Sequence, residues 1–212
     1  QEAMPVISQW ANGWHGLDAL LDLWNVVLGL AVLFLSRCLG ILYFINNVSD
    51  AELLPRFRRR LLVEAVCFVA FFVPFVIYVL LKDGFAVDAA SGSIVMESYK
   101  YFHNLMAMPW VLGLFLLGVV AVLFGLGRSI LCATYNKGIW FAGVGTVLAV
   151  LALLLTVGYN NTAYYPSAAD LQSSLTLSNS CSSLFTLKTM AYVSVFIPFV
   201  LAYIIYAWRA ID

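Results

Sequence analysis

Apolar residues run in five long stretches, approximately residues 24–47, 60–82, 106–127, 138–158 and 185–208, with most charged residues gathered between them. Each stretch has the roughly 20 residues needed to cross about 30 Å of hydrocarbon as a helix. Helix is the predicted form, because a bilayer offers backbone amides no water and the alternating pattern of a transmembrane barrel strand is absent. The predicted fold is all-α: a polytopic transmembrane helix bundle of five spans over residues 24–212, entered through an outer-side interfacial segment of residues 1–23. Within that segment residues 18–23 suit an interfacial turn, and Trp10, Trp14 and Trp24 suit the headgroup zone. The start, from Gln1 through Pro5, has neither a basic region nor a small-residue cleavage site, so it is read as the middle of a longer protein rather than a signal peptide.

Composition supports the same solvent. Of 212 residues, 63% are hydrophobic and 10% charged, with a mean hydropathy of +0.95; a soluble domain carries about 25% charged residues. The 11 basic and 11 acidic residues cancel without a basic cluster large enough for a nucleic-acid backbone, so DNA and RNA are excluded as expected partners. Charge placement predicts orientation. Arg56, Arg58, Arg59 and Arg60 follow the first span, and Arg128 and Lys137 follow the third, whereas Asp83, Asp88, Glu97 and Asp170 follow the second and fourth. The positive connections belong inside, which places the amino terminus outside and the carboxy terminus, with Arg209, in the cytoplasm. Lys188, near the outer end of the last span, reaches the interface by its long stem.

Candidate chemistry inside the spans is sparse. Cys38, Cys67, Cys132 and Cys181 have no CxxC spacing and read as small apolar fillers. Arg37 is the clearest intramembrane charge. It pairs with a carboxylate of a partner subunit or with a lipid phosphate, or it snorkels inward. Glu64, one turn into the second span, pairs with the arginine run. Paired-histidine haem ligation would need more than His15 and His103; one haem on His103 with Met106, Met108 or Met190 competes with a plain interfacial histidine. Gly113, Gly118, Gly125 and Gly127, with Gly143 and Gly145, permit close helix approach without a GxxxG pair, and Pro74 and Pro198 kink their helices.

The connection of residues 159–190 interleaves Tyr164, Tyr165, Pro166, Leu171, Leu175 and Leu177 with hydroxyl and amide side chains. That mixture predicts a segment folded onto the bundle, with Pro166 fixing a turn and Ser182 or Ser183 capping the last helix. Structural roles explain it; contact with a quinone headgroup or a partner is the sharper alternative. Tyr165, Pro166, Ser174, Leu175, Thr176 and Asn179, together with Arg37, are the candidate structural or partner-contact residues.

The order YYPS, then Ser174-Leu175-Thr176, then Asn179 to Ser183 with small residues, then TLxxM from Thr186 to Met190 before a proline-bearing helix, resembles subunit II of cytochrome bd-type quinol oxidases. WHGLDAL, FINN, DGFAV and NKGIWFAG are similar to the same subunit from Bacteroidetes-like bacteria. The resemblance covers essentially the whole chain and the carboxy-terminal half to three-fifths of that subunit, with about four further spans expected ahead of Gln1. It implies a multi-pass protein of the bacterial inner membrane. The implied role is a respiratory-chain, electron-transport oxidoreductase, in which a haem-bearing subunit I oxidises quinol from the membrane pool and reduces dioxygen to water. It also implies that this chain binds no cofactor or metal and holds no catalytic residue, since the family's proton-path carboxylates belong to the amino-terminal half. The alternatives are half of a secondary transporter, suggested by glycine- and proline-interrupted helices with Arg37, and a membrane scaffold.

Overall fold

A computed structural model describes residues 13–88, 91–167 and 170–211. Pro5 and Trp10 lie outside the described residues. Among the described residues five helices are long and apolar enough to cross a membrane: α1 Leu23–Asn47, α2 Leu53–Leu81, α4 Pro109–Leu131, α5 Gly138–Gly158 and α7 Leu184–Ile211. Two short helices, α3 Lys100–Ala107 and α6 Leu177–Ser180, lie outside these spans. Two antiparallel strand pairs, β1 Gly84–Val87 with β2 Ile94–Glu97 and β3 Ala163–Tyr165 with β4 Leu175–Thr176, are additions to the all-helical expectation.

The entry to α1 follows the sequence reading, and two later boundaries differ from it for local reasons. A 3-10 turn, Leu17–Leu21, leads into α1, whose first amides are capped where Asp22 accepts from Trp24 N at 2.8 Å. Helix α2 starts well before residue 60 because Asp50 caps it, accepting from the amides of Glu52 and Leu53 at 2.7 and 3.1 Å. The arginine run is therefore helical; charge ends a hydrophobic stretch without ending a helix. The third span begins at Pro109, and Met106 belongs to α3. Proline has no amide to donate and drives the preceding residue out of the helical region, so Met108 breaks the chain into two helices. Helices α2 and α7 continue through Pro74 and Pro198.

The described chain forms two compact units, Gln1–Thr176 and Leu177–Asp212. The second comprises α6 and α7. In the first, α1 pairs with α2 and α4 with α5, and the two pairs meet where α1 touches α5 and α2 touches α4. Cys38, Leu42 and Ile45 of α1, Leu61, Ala65 and Phe68 of α2, Val122 and Leu126 of α4 and Ala142 of α5 make one buried cluster. A second, of Leu105, Met108, Val111 and Ala152, joins α3 to the α4–α5 pair.

The α4–α5 seam is made of small residues. Gly138, Ala142, Gly145, Ala149, Ala152 and Thr156 are all buried on α5, spaced alternately four and three apart, which is one helix face. Opposite them lie Gly118 and Gly125 of α4. A Cβ on Gly145 would stand 2.6 Å from the Gly118 carbonyl oxygen, and one on Gly125 would stand 2.7 Å from that of Gly138. Gly113, Gly127 and Gly143 face open space instead, so only part of the glycine set serves close packing. In lipid, where apolar side chains gain little by leaving the solvent, such backbone approach supplies the dispersion contacts that hold helices together.

Gly125→Ala is expected to force α4 from α5 and to lower stability by about 1–3 kcal/mol. Gly127→Ala is expected to be neutral or slightly stabilising, since Ala is the better helix former by about 1 kcal/mol. Thermal unfolding of the two variants in detergent checks the pair; equal loss would show that the seam is not tight.

Candidate functional site

At the end of the first unit where α5 stops, Asn160 and Asn161 adopt left-handed backbone conformations with φ of 59° and 52°. Asparagine tolerates this region, so the chain reverses there without glycine. The reversal delivers Thr162 to a bridge with Ala86 of β1, and Val87 N donates to the Asn161 carbonyl at 2.8 Å. Asn104 of α3 holds the corner. Its Nδ2 donates to the Thr156 carbonyl at 3.0 Å and to Thr162 Oγ1 at 2.7 Å, and its Oδ1 accepts from Asn160 Nδ2 at 3.1 Å. Gln172 makes a second tie, accepting from Ile94 N at 2.9 Å and donating to Ile94 O at 2.8 Å, as a neighbouring strand would.

The candidate residues of this connection take different places. Ser174 is buried, and its Oγ accepts from Ser167 N at 3.0 Å while donating to the Leu171 carbonyl at 2.8 Å. Thr176 is buried opposite Ala163 in the β3–β4 register. Leu175, between them, is 40% exposed and pairs in register with Tyr165, itself 67% exposed. The alternation thus turns hydroxyls inward and apolar side chains outward. Pro166 is exposed beside Tyr165, and Asn179 belongs to the second unit.

Beside this corner, Glu97 Oε1 meets His103 Nδ1 at 3.0 Å and its Oε2 meets Lys100 Nζ at 3.2 Å. The hydrogen bond from His103, followed by Lys100, holds the Glu97 carboxyl below the ordinary carboxylate range. Axial haem ligation requires a donor aimed into an apolar slot that encloses the macrocycle. His103 bonds Glu97 through Nδ1, which leaves Nε2 as its possible ligating atom, but 57% of its side chain is exposed and so is not enclosed by an apolar slot. Met106 is also exposed, while Met108 is buried in the α3–α4–α5 cluster and Met190 lies in the second unit. Within the first unit His103, Met106 and Met108 do not form a ligand pair facing an apolar slot, and among the described residues no three His, Cys, Asp or Glu side chains gather as for a metal.

Arginines organise the opposite end. Arg37 Nη2 and Arg60 Nε both bond the same oxygen, Glu64 Oε1, each at 2.7 Å. Glu64 is buried, and its Oε2 has no partner among the described residues. Glu64 thus pairs with the arginine run, as its position predicts, and also supplies Arg37 with a carboxylate from its own chain. Arg58 faces the other way. Its guanidinium donates to the carbonyls of Ser129, Cys132 at 2.9 Å, Ala133 at 2.7 Å and Tyr135 at 3.3 Å, and to Asn136 Oδ1 at 3.0 Å. These acceptors include the end of α4, where helical carbonyls lose their own donors and carry partial negative charge. No motif marks Arg58, Asn104 or Gln172 in the sequence: Arg58 stands within the arginine run, and Asn104 and Gln172 each lie between one polar and one apolar neighbour.

Because the folded state depresses the Glu97 pKa, its contribution is present above the unfolded value of about 4.3 and is lost as pH falls through the folded value. The side chains are partly exposed, so the contribution is below about 1 kcal/mol. Glu97→Gln is expected to lower the unfolding temperature slightly at neutral pH and to flatten its decline between about pH 5 and pH 3. A pH series of thermal melts comparing the two proteins checks this; an unchanged decline would assign it to other carboxylates.

Residues 3–211 match the family model described as cytochrome bd terminal oxidase subunit II. No curated protein matches the chain. With the five apolar spans already in place, the match over nearly the full length identifies a multi-pass membrane protein that belongs to the cytochrome bd terminal oxidase subunit II family.

Proposed function

We propose that this chain is the non-haem subunit of a respiratory quinol oxidase, supporting a haem-bearing subunit I that oxidises quinol and reduces dioxygen to water. The match of residues 3–211 to the subunit II family carries this reading. The side-chain arrangement agrees with a supporting role. His103 is largely exposed, and the buried polar side chains Asn104, Ser174 and Arg58 bond backbone groups of their own chain. The haems act on the partner, and what this chain contributes is shape and anchorage. The arginine end belongs at the cytoplasmic face and the strand-bearing end outside. Leu175 and Tyr165, outward-facing and adjacent in register, are the part of the connection suited to meet the partner.

Purification of the complex through a tag on this chain is expected to yield a haem signature in the reduced-minus-oxidised spectrum and quinol-dependent oxygen uptake. A preparation without either would refute the reading.

Ser174→Ala is expected to cost about 1 kcal/mol by removing the bonds of its hydroxyl to Ser167 N and the Leu171 carbonyl, lowering the amount of complex without changing turnover per haem; Pro166→Ala should act in the same direction. Leu175→Asp should leave this chain folded yet reduce recovery of the haem-bearing partner. Normal recovery with lost turnover in any of the three would show instead that the connection touches substrate.

A further inference from the structure

The Arg37–Glu64–Arg60 triad has more positive charge than it consumes. Two guanidinium groups share one carboxylate oxygen, which leaves a formal charge of +1 on the cluster. Each guanidinium has five N–H donors, and among the described residues neither has a second acceptor. The other Glu64 oxygen is buried and reaches neither arginine. The arginine side chains are 47% and 59% exposed, so their remaining donors look outward from the α1–α2 pair.

The depth of the cluster follows from the helices themselves. Trp24 of α1 and Tyr78 of α2 stack at 4.0 Å and sit at one level, with Lys82 over the Tyr78 ring. Such rings mark a membrane interface. From Tyr78 to Arg60 is eighteen residues, about 27 Å of helix, against a hydrocarbon thickness of about 30 Å. From Trp24 to Arg37 is thirteen residues, about 20 Å, and the long arginine stem covers much of the difference. The two guanidiniums therefore stand at the far edge of the hydrocarbon, where lipid phosphates are the abundant anion. They contact a common oxygen and so lie close enough for the two free oxygens of one phosphodiester to bridge them. On the hydrocarbon side of the triad Phe34 stacks on Phe71, which offers acyl chains an apolar surface.

We propose that Arg37 and Arg60 form a binding site for the phosphodiester of one anionic phospholipid, with Glu64 fixing the spacing of the two guanidiniums. The site rests on the triad and is independent of the oxidase reading.

The test uses the full chain with its co-purifying subunits, delipidated in detergent and titrated with phosphatidylglycerol, phosphatidylcholine or inorganic phosphate, with bound lipid read by native mass spectrometry. The wild-type complex is expected to retain phosphatidylglycerol in preference to phosphatidylcholine. Arg37→Gln with Arg60→Gln should weaken that retention roughly 10- to 30-fold, since each arginine contributes about 1 kcal/mol to anionic-lipid attraction. Lys137→Gln should leave it unchanged, and Arg37→Lys with Arg60→Lys should keep most of it, which separates loss of charge from loss of fold. Competition by millimolar inorganic phosphate would identify a free-phosphate site and overturn the lipid assignment. Equal retention of both lipids would overturn it too, as would a double glutamine variant that keeps its lipid but sheds a neighbouring subunit, because a partner carboxylate would then be the anion.

Discussion

A backbone carbonyl at the end of a helix has lost its helical donor, and leaving it bare where the fold excludes water costs several kcal/mol. The non-helical parts of the first unit are arranged around that constraint. At the end of α4, Arg58 takes the carbonyls of Ser129, Cys132, Ala133 and Tyr135 with one planar group. At the end of α5, Asn104 takes the Thr156 carbonyl and, with Asn160 and Thr162, closes the reversal that follows. Gln172 completes the exposed edge of β2 with an amide from another part of the chain. Each is a side chain with several donors or both donor and acceptor, which is what a cluster of orphaned backbone groups requires.

The two helix pairs of that unit are held by different means. Along α4 and α5, glycine and alanine let the backbones close up, and the seam has almost no polar component. Between α1 and α2 the fit is made by larger groups: stacked aromatic pairs at three levels, with the Arg37–Glu64 bond among them. A small-residue seam tolerates no added carbon, whereas stacked rings and a charge pair leave outward-facing edges and unused donors. The first pair is suited to rigidity and the second to recognition.

The span count was legible because hydrocarbon thickness imposes a length that few soluble helices combine with such apolarity. Boundaries were legible only where polarity and helix end together. At Arg56 to Arg60 they part, because Asp50 starts the helix before the apolar stretch begins. At Met106 to Pro109 the apolar pattern runs on while the missing proline amide ends one helix and begins another. The Arg37–Glu64 bond joins residues 27 apart, and no periodicity connects them. The 159–190 connection was recognisable as ordered from its mixed composition, but its facing was not. Leu175 turns outward because a two-residue strand period places Ser174 and Thr176 on the opposite, buried side, where the Ser174 hydroxyl has bonds to make.

The four arginines at the start of α2 show how one charge run serves two stages in the life of the chain. Successive residues on a helix point about 100° apart, so Arg56, Arg59 and Arg60 are exposed while Arg58 is buried against the end of α4. Arg58 spends its donors on neutral oxygens in the folded protein, and its charge also counts toward orientation. Spans insert in order, and when α2 enters the membrane the carbonyls of residues 129–135 do not yet stand beside it. At that moment Arg58 is one more positive side chain resisting translocation. Only after α4 has inserted does it become the donor that completes a neighbouring helix. An uncharged donor would serve the second role and forfeit the first, and a lysine would serve the first without the planar fork needed for several carbonyls at once. Arginine at this position meets both demands.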